Sequence, residues 1–198
     1  MKIFFQNIIG IDEAGRGPLA GPIVVAAVKV NAKYKRQNEK LLKGIRDSKK
    51  LSSRQREKWF VKITCDPRIQ WAVARVWPKV IDRINISAAG NLGASRVYSR
   101  LSLERDSRLS LESVLLDAGL RLSPPIPHKA IIKGDEKIPV IAAASIIAKV
   151  TRDRIMMRLH KKYPEYRFDL HKGYGTVLHR AMIRKYGRCE IHRKSFRC

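Results

Sequence analysis

The chain has 198 residues, 44% of them hydrophobic, and its 42 Lys and Arg against 17 Asp and Glu leave a formal net charge of +25. That length and apolar share support one domain with a real core and exclude wholesale disorder. Three scattered cysteines without a Cys-x-x-Cys pair argue against a disulfide framework, and Gln6, Asn7, Asp12 and Glu13 interrupt the first apolar run before a signal core or membrane span is complete. The expectation is a cytoplasmic protein that acts as a monomer and meets no membrane. In chain order, residues 8–11 and 22–28 are apolar, β-branched runs separated by Asp12-Glu13-Ala14-Gly15-Arg16-Gly17-Pro18, which predicts a hairpin with a long connection. A basic, loop-like stretch runs to residue 50. Ser52 with Gln55 three residues on is a capping-box pair, opening a helix through Trp59, Phe60 and Ile63. Residues 69–77 alternate as a strand does, and small or apolar residues at 86, 89, 90, 93, 94, 97 and 101 give helical spacing over 84–103. Two short apolar runs, 114–116 and 130–132, read as further strands. Pro139 then starts a long helix to about residue 160, and residues 161–198 form a basic helical or irregular extension within the same compact unit. Strands followed by strand–helix alternation make this an α/β protein with a mixed sheet.

The positive charge is concentrated. Residues 29–62 hold 13 Lys and Arg against 3 acids, and residues 149–198 hold 15 against 4. Basic stretches on a globular chain suit phosphate backbones, although solvated faces are the bland alternative. In so basic a chain the few acids are informative. Three strand-like runs end in or near aspartate, at Asp12, Asp117 and Asp135. Any one of them is more simply a cap or turn former. Three together, with Glu13 beside the first, would converge at one sheet edge if the strands are neighbours. Carboxylates gathered that way repel unless a cation neutralises them, and an oxygen-only donor set suits Mg²⁺ or Mn²⁺ better than zinc. Two such ions are a general route to phosphodiester hydrolysis. Successive strand residues face opposite ways, so Asp12 and Glu13 share a ligand site only if the strand breaks, which Ala-Gly-Arg-Gly-Pro could provide. The five histidines lack zinc-ligand spacing, and neither a phosphate-binding Lys-Ser/Thr loop nor a Gly-x-Ser-x-Gly elbow occurs.

Six ordered segments carry a more specific signal. They are DEAGRGP from Asp12, DSKKL from Asp47, Lys133-Gly134-Asp135, AAASIIAKVTRD from Ala142, HKGYGT from His171 and HRKSF from His192. Together they closely resemble the bacterial ribonuclease HII family over essentially the whole chain. The resemblance implies a ribonuclease H-like fold, a mixed five-stranded sheet flanked by helices. Residues 1–160 would form its catalytic domain and 161–198 a helical C-terminal extension. It implies endonucleolytic cleavage of RNA in RNA–DNA hybrids and 5′ of single ribonucleotides in duplex DNA, leaving a 3′-hydroxyl and a 5′-phosphate. Asp12, Glu13, Asp117 and Asp135 would be the catalytic, metal-binding acids, holding two Mn²⁺ or Mg²⁺ ions. Gly15, Arg16, Gly17 and Tyr174 would recognise the junction ribonucleotide, since glycines admit close backbone approach to a 2′-hydroxyl. Ser48, Lys49, Lys149 and Arg152 are candidate phosphate contacts, which fix register without reading bases.

The chain also departs from the family pattern. Asp117-Ala118-Gly119 stands where the family has Asp-Gly, which leaves Glu112 as a rival third carboxylate. Residues 96–113 are more charged than the corresponding family helix, and the run from Ile81 to Ile86 continues into Ser-Ala-Ala-Gly rather than Leu. Two other readings stay in view: a basic nucleic-acid-binding module whose acids are only caps, and a different metal-dependent nuclease on the same fold. The sister type HIII carries an extra N-terminal domain and fits less well.

Overall fold

A computed structural model describes residues 7–31, 41–45, 48, 51–102, 112–123 and 126–197. Its sheet has five strands: β1 (Asn7–Ala14), β2 (Ile23–Asn31), β3 (Ile69–Val76), β4 (Glu112–Asp117) and β5 (Lys129–Ile131), in the spatial order β3-β2-β1-β4-β5. The hairpin expected from the opening residues is present, with Asn7 opposite Asn31 and Ala14 opposite Val24. β3 continues it antiparallel, whereas β4 lies parallel to β1 and β5 parallel to β4. The sheet is mixed, as expected.

The helices are α1 (Ser53–Thr64), α2 (Pro78–Ile84), α3 (Ile86–Ser102), α4 (Gly134–Lys137), α5 (Pro139–Lys162), α6 (Phe168–His171) and α7 (Val177–Tyr186). α1 begins with the expected capping box: Gln55 N–H donates to Ser52 Oγ at 3.3 Å and Ser52 N–H to Gln55 Oε1 at 2.8 Å. The helix expected over 84–103 is α3, and the short α2 before it was not expected from the sequence. Asn85 takes a left-handed φ of 65°, ending α2, and its Oδ1 accepts from Ala88 N–H at 3.0 Å to start α3. The periodicity of α3 hid α2, because a short helix opened by Pro78 carries too few turns to show a period of its own. The basic loop expected up to residue 50, and residues 103–111 of the charged segment, fall largely outside the described residues.

Strand alternation sorts the core into two layers. Ile9 and Ile11 of β1, with Val25, Ala27, Val114 and Leu116, pack against Ala94, Val97 and Leu101 of α3. On the other face Val24, Ala26 and Val28 pack against Ala143, Ala144 and Ile147 of α5. The first half of α5 is apolar on all sides and buried on all sides, as a central helix must be. Apolar burial of about 25 cal/mol per Å² makes these two layers the main source of stability. The C-terminal residues close a third cluster, in which Tyr166, Phe168 and Ile191 pack with Ala20 and Met156. Backbone bonds tie this region to the β1–β2 connection: Leu19 N–H to Gly173 O at 2.8 Å and Arg193 N–H to Leu19 O at 2.8 Å. Among the described residues no helix is long and apolar enough to cross a membrane.

α5 lies so close to β1 that a methyl group at Gly10 would stand 2.5 Å from the Val140 carbonyl carbon. Backbone cannot yield as a flexible side chain does. Gly10→Ala should therefore destabilise the protein by about 1–3 kcal/mol through overpacking, read as a lower urea midpoint.

Candidate active site

The acids meet at the C-terminal ends of β1 and β4. Ile11 is opposite Leu116, so the next residues in parallel register, Asp12 and Asp117, stand on the face covered by α5. Glu13 falls on the opposite face. β1 ends at Ala14 and the turn starts at Gly15, within the Ala-Gly-Arg-Gly-Pro run expected to break it, and Glu13 stands close enough for its charge to raise the pKa of Asp12. Asp12 is 4% exposed, and its pKa is raised well above the usual carboxylate range by burial first, then by the charge of Glu13, with Asp117 adding to it. A hydrogen bond with Ser145 of α5 partly offsets this, and Ser145 Oγ is in turn 2.8 Å from the buried Ser48 Oγ. Ser48, expected at a phosphate, instead backs the residue that supports Asp12. Lys49 and Asp47 lie outside the described residues.

Asp117 is fixed by a 2.8 Å bond from Gly134 N–H to its Oδ1, which draws α4 onto the end of β4. Lys133 enters that helix in a left-handed conformation, φ 54°, and Asp135, 5% exposed, follows in its first turn. The extra residue in Asp117-Ala118-Gly119 is absorbed by the same corner: Arg16 Nη1 donates to Gly119 O at 3.1 Å and to Glu13 Oε1 at 3.0 Å, while its Nη2 reaches Ser87 Oγ at 3.1 Å. Arg16 thus joins three elements behind the acids. Oxygen donors alone, with charges that raise the proton affinity of Asp12, are the chemistry a hard divalent cation satisfies. Among the described residues no three His, Cys, Asp or Glu side chains are already closed into a metal cage.

Beside the acids runs the Gly15–Pro22 connection. Gly15 has φ +98°, and an added Cβ would stand 2.1 Å from Arg152 Nε, so glycine is required twice over. Gly17 is exposed, with nothing within 4 Å of a would-be Cβ, and leaves room for a ligand. Arg152 was expected at a phosphate and is placed elsewhere. It is wholly buried, with Nε on Pro22 O, Nη1 on Lys172 O and Nη2 on Ala20 O, each at 3.0 Å. A buried brace replaces the expected surface contact. Lys149 remains nearer solvent, 2.8 Å from Asp153 Oδ1, and its Nζ is 5.9 Å from the centroid of the Tyr174 ring. Tyr174 is 43% exposed and presents that ring beside the turn. A groove of about 660 Å³ between α1 and α5 is lined by Arg56, Arg154, Arg158 and Lys172, with Glu57 and Asp153 among them.

Sequence reasoning set the histidines aside as surface or packing residues, yet three of them hold Tyr174 from beneath. His179 Nδ1 bonds Tyr174 O at 2.9 Å, and its Nε2 is 3.1 Å from His192 Nε2. His192 Nδ1 accepts from Cys189 N–H at 3.0 Å, so His192 donates through Nε2 and His179 through Nδ1. His171 stacks on His179 at 4.3 Å and accepts from Gly173 N–H at 3.1 Å. All three are neutral in this arrangement, because burial pushes the pKa of His171 down and takes His179 and His192 to about 4. Their place inside the HKGYGT and HRKSF segments was the available signal.

Comparison with known proteins gives this geometry a family context. The family described as Ribonuclease HII matches residues 9–198. A relative named Ribonuclease HII from Coxiella burnetii is 44% identical over 189 residues, 96% of this chain and 87% of its own. Among solved structures, ribonuclease H2 from Pyrococcus horikoshii OT3 superposes with a TM-score of 0.70 at 30% identity, covering 96% of this chain and 93% of that one. Bst-RNase HIII in complex with Mn²⁺ shares the fold, with a TM-score of 0.71 at 23% identity over 92% of this chain and 63% of its own.

The buried histidines make the fold acid-sensitive in a defined window. Unfolded histidine titrates near 6.5, whereas His179 and His192 take a proton in the fold only near 4, so between those values the unfolded chain binds more protons. Stability from this source is full above about pH 6.5 and falls as pH drops toward 4, by on the order of 2 kcal/mol per histidine. Asp12, with its raised pKa, acts in the opposite direction. Urea unfolding of His192→Gln should therefore show a flatter dependence on pH than the parent over that window, isolating the histidine contribution.

Proposed function

The chain belongs to the ribonuclease HII family and is an endoribonuclease of RNA–DNA hybrids, and from that premise we propose that it also cuts 5′ of a single ribonucleotide embedded in duplex DNA. The products would be a 3′-hydroxyl and a 5′-phosphate. One observation carries the proposal: buried Asp12, flanked by Glu13 and Asp117, lies at the sheet end where the open Gly17 turn and the exposed Tyr174 ring begin.

Each group has a role that its surroundings favour. Asp12, Glu13, Asp117 and Asp135 would hold two Mg²⁺ or Mn²⁺ ions, which when bound supply an activated water and stabilise the departing oxygen. Mn²⁺ on a structure of the same fold supports that metal class. Ser145 and Arg16 orient Asp12 and Glu13. Gly15 and Gly17 let the backbone come within hydrogen-bond reach of a ribose 2′-hydroxyl, the group that separates RNA from DNA. Tyr174 offers a flat face to the next sugar, where a deoxyribose fits and a hydroxyl hinders. Lys149 and the groove cations Arg56, Arg154, Arg158 and Lys172 would follow the phosphate backbone and make binding salt-dependent. On this reading the enzyme works in the cytoplasm as a monomer.

The test is a duplex with one labelled ribonucleotide, incubated with Mg²⁺ or Mn²⁺ beside an all-DNA duplex and a chelator control. A single metal-dependent cut 5′ of the ribonucleotide, absent from all-DNA, is expected. Binding without cutting under either metal would favour the binding-module reading. Asp12→Asn should abolish cleavage while substrate binding persists, as seen by gel shift. Tyr174→Ala should slow the cut at a single ribonucleotide by on the order of tenfold, the scale of one lost stacking contact, and an unchanged rate would remove Tyr174 from junction recognition.

A further inference from the structure

Arg193 comes from the far end of the chain, 178 residues beyond Gly15, and ends up beneath the junction turn. It is 1% exposed. Its Nη2 donates to Gly15 O at 2.6 Å, Nη1 to Arg16 O at 2.8 Å and Nε to Gly21 O at 3.1 Å. With Arg152 on the carbonyls of Ala20, Pro22 and Lys172, the pair directs six guanidinium bonds at backbone oxygens, five of them in the single connection from Gly15 to Pro22. Two buried cations side by side are costly, and among the described residues neither guanidinium has a carboxylate as a hydrogen-bond partner. Burial, then the charge of Arg152, pushes the pKa of Arg193 down to about 9, which leaves it a cation at neutral pH. So expensive an arrangement fixes something that simple packing does not.

What it fixes is the direction of two peptide planes. In a trans peptide the C=O of one residue and the N–H of the next point opposite ways. With the Gly15 and Arg16 carbonyls turned inward to Arg193, the Arg16 and Gly17 N–H groups are turned outward. Neither donates to another group among the described residues, and the space beside Gly17 is open. A second device holds Arg193 in register. Asp82 of α2 accepts from Lys194 N–H at 3.0 Å, Ser195 N–H at 2.9 Å and Ser195 Oγ at 2.6 Å, latching the residues that follow Arg193.

We propose that Arg193, latched by Asp82, is a positioning residue for ribonucleotide selection: it holds the Gly15–Arg16–Gly17 peptides so that two N–H donors face the 2′-hydroxyl side of the substrate. This rests on the reading of that turn as the junction-recognition element. Arg193 itself touches no substrate. Lysine cannot replace it, since one ammonium lacks the planar fork that reaches three carbonyls at once.

The experiment compares the wild type, Arg193→Lys and Asp82→Ala in kcat/KM on a single-ribonucleotide duplex and in the inhibition constant of an all-DNA duplex as competitor. Positioning predicts a loss on the order of tenfold in kcat/KM for Arg193→Lys, and a smaller one for Asp82→Ala, with the all-DNA inhibition constant unchanged. A merely structural role would weaken both together, and equal weakening or no change in a folded variant would overturn the proposal. Hydrogen exchange on the wild type is the second measurement, independent of whether either variant folds. The Arg16 and Gly17 amides should exchange freely in the free protein and become protected by the ribonucleotide duplex but not by all-DNA. Protection already present in the free protein, or none on binding, would overturn it equally. If the wild type itself does not distinguish the two duplexes, the junction reading fails; if it does and the variants match it, only the role of Arg193 fails.

Discussion

The working edge depends on the burial of β1 between two helices, one of them at backbone contact distance. α3 covers one face through Ile9 and Ile11, and α5 the other, close enough that only glycine fits at position 10. That constraint fixes where the strand ends, and so where Asp12 and Glu13 stand. Because the same strand pairs in parallel with β4, Asp117 arrives beside Asp12 without any loop having to place it. α5 adds Ser145 from the covering side. Acids on rigid elements hold a geometry that acids on loops would lose to backbone entropy.

Electrostatics sets the second requirement. The chain gathers carboxylates at one point of a strongly cationic molecule, and it buries two arginines a short way behind them. Burial and the charges of Glu13 and Asp117 raise the proton affinity of Asp12, which favours a divalent cation as partner. The buried arginines are satisfied by carbonyl oxygens instead, so their charge is spent on shaping backbone. Both groups converge on one turn. The acids lie at the end of the strand that enters it, and the arginines lie under the turn itself.

The C-terminal residues take part in this as structure with a task. Asp82 anchors the turn that follows Arg193, Arg193 supports the Gly15–Pro22 connection, and the chain of His192, His179 and the Tyr174 carbonyl sets the height of the exposed ring. Neutral histidines suit that position because each can donate at one nitrogen and accept at the other. A lysine or arginine would supply donors only.

Much of this was legible in the sequence, for reasons that are local. Apolar β-branched runs around a Gly/Pro turn marked β1 and β2, alternation marked β3, a capping box marked α1, and aspartates at three strand ends pointed to the acidic set, because strand patterns and helix caps are encoded within a few residues. The ordered motifs indicated the family. What the tertiary structure alone decided involves partners far apart in the chain. Arg152 became a brace rather than a phosphate contact, Ser48 backed Ser145 rather than substrate, and Arg193 and the histidines acquired work that no spacing rule announces. A guanidinium reads the same in sequence whether it ends on a phosphate or on six buried carbonyls shared with its neighbour. The fold decides between them by removing water from one place and leaving it at the other.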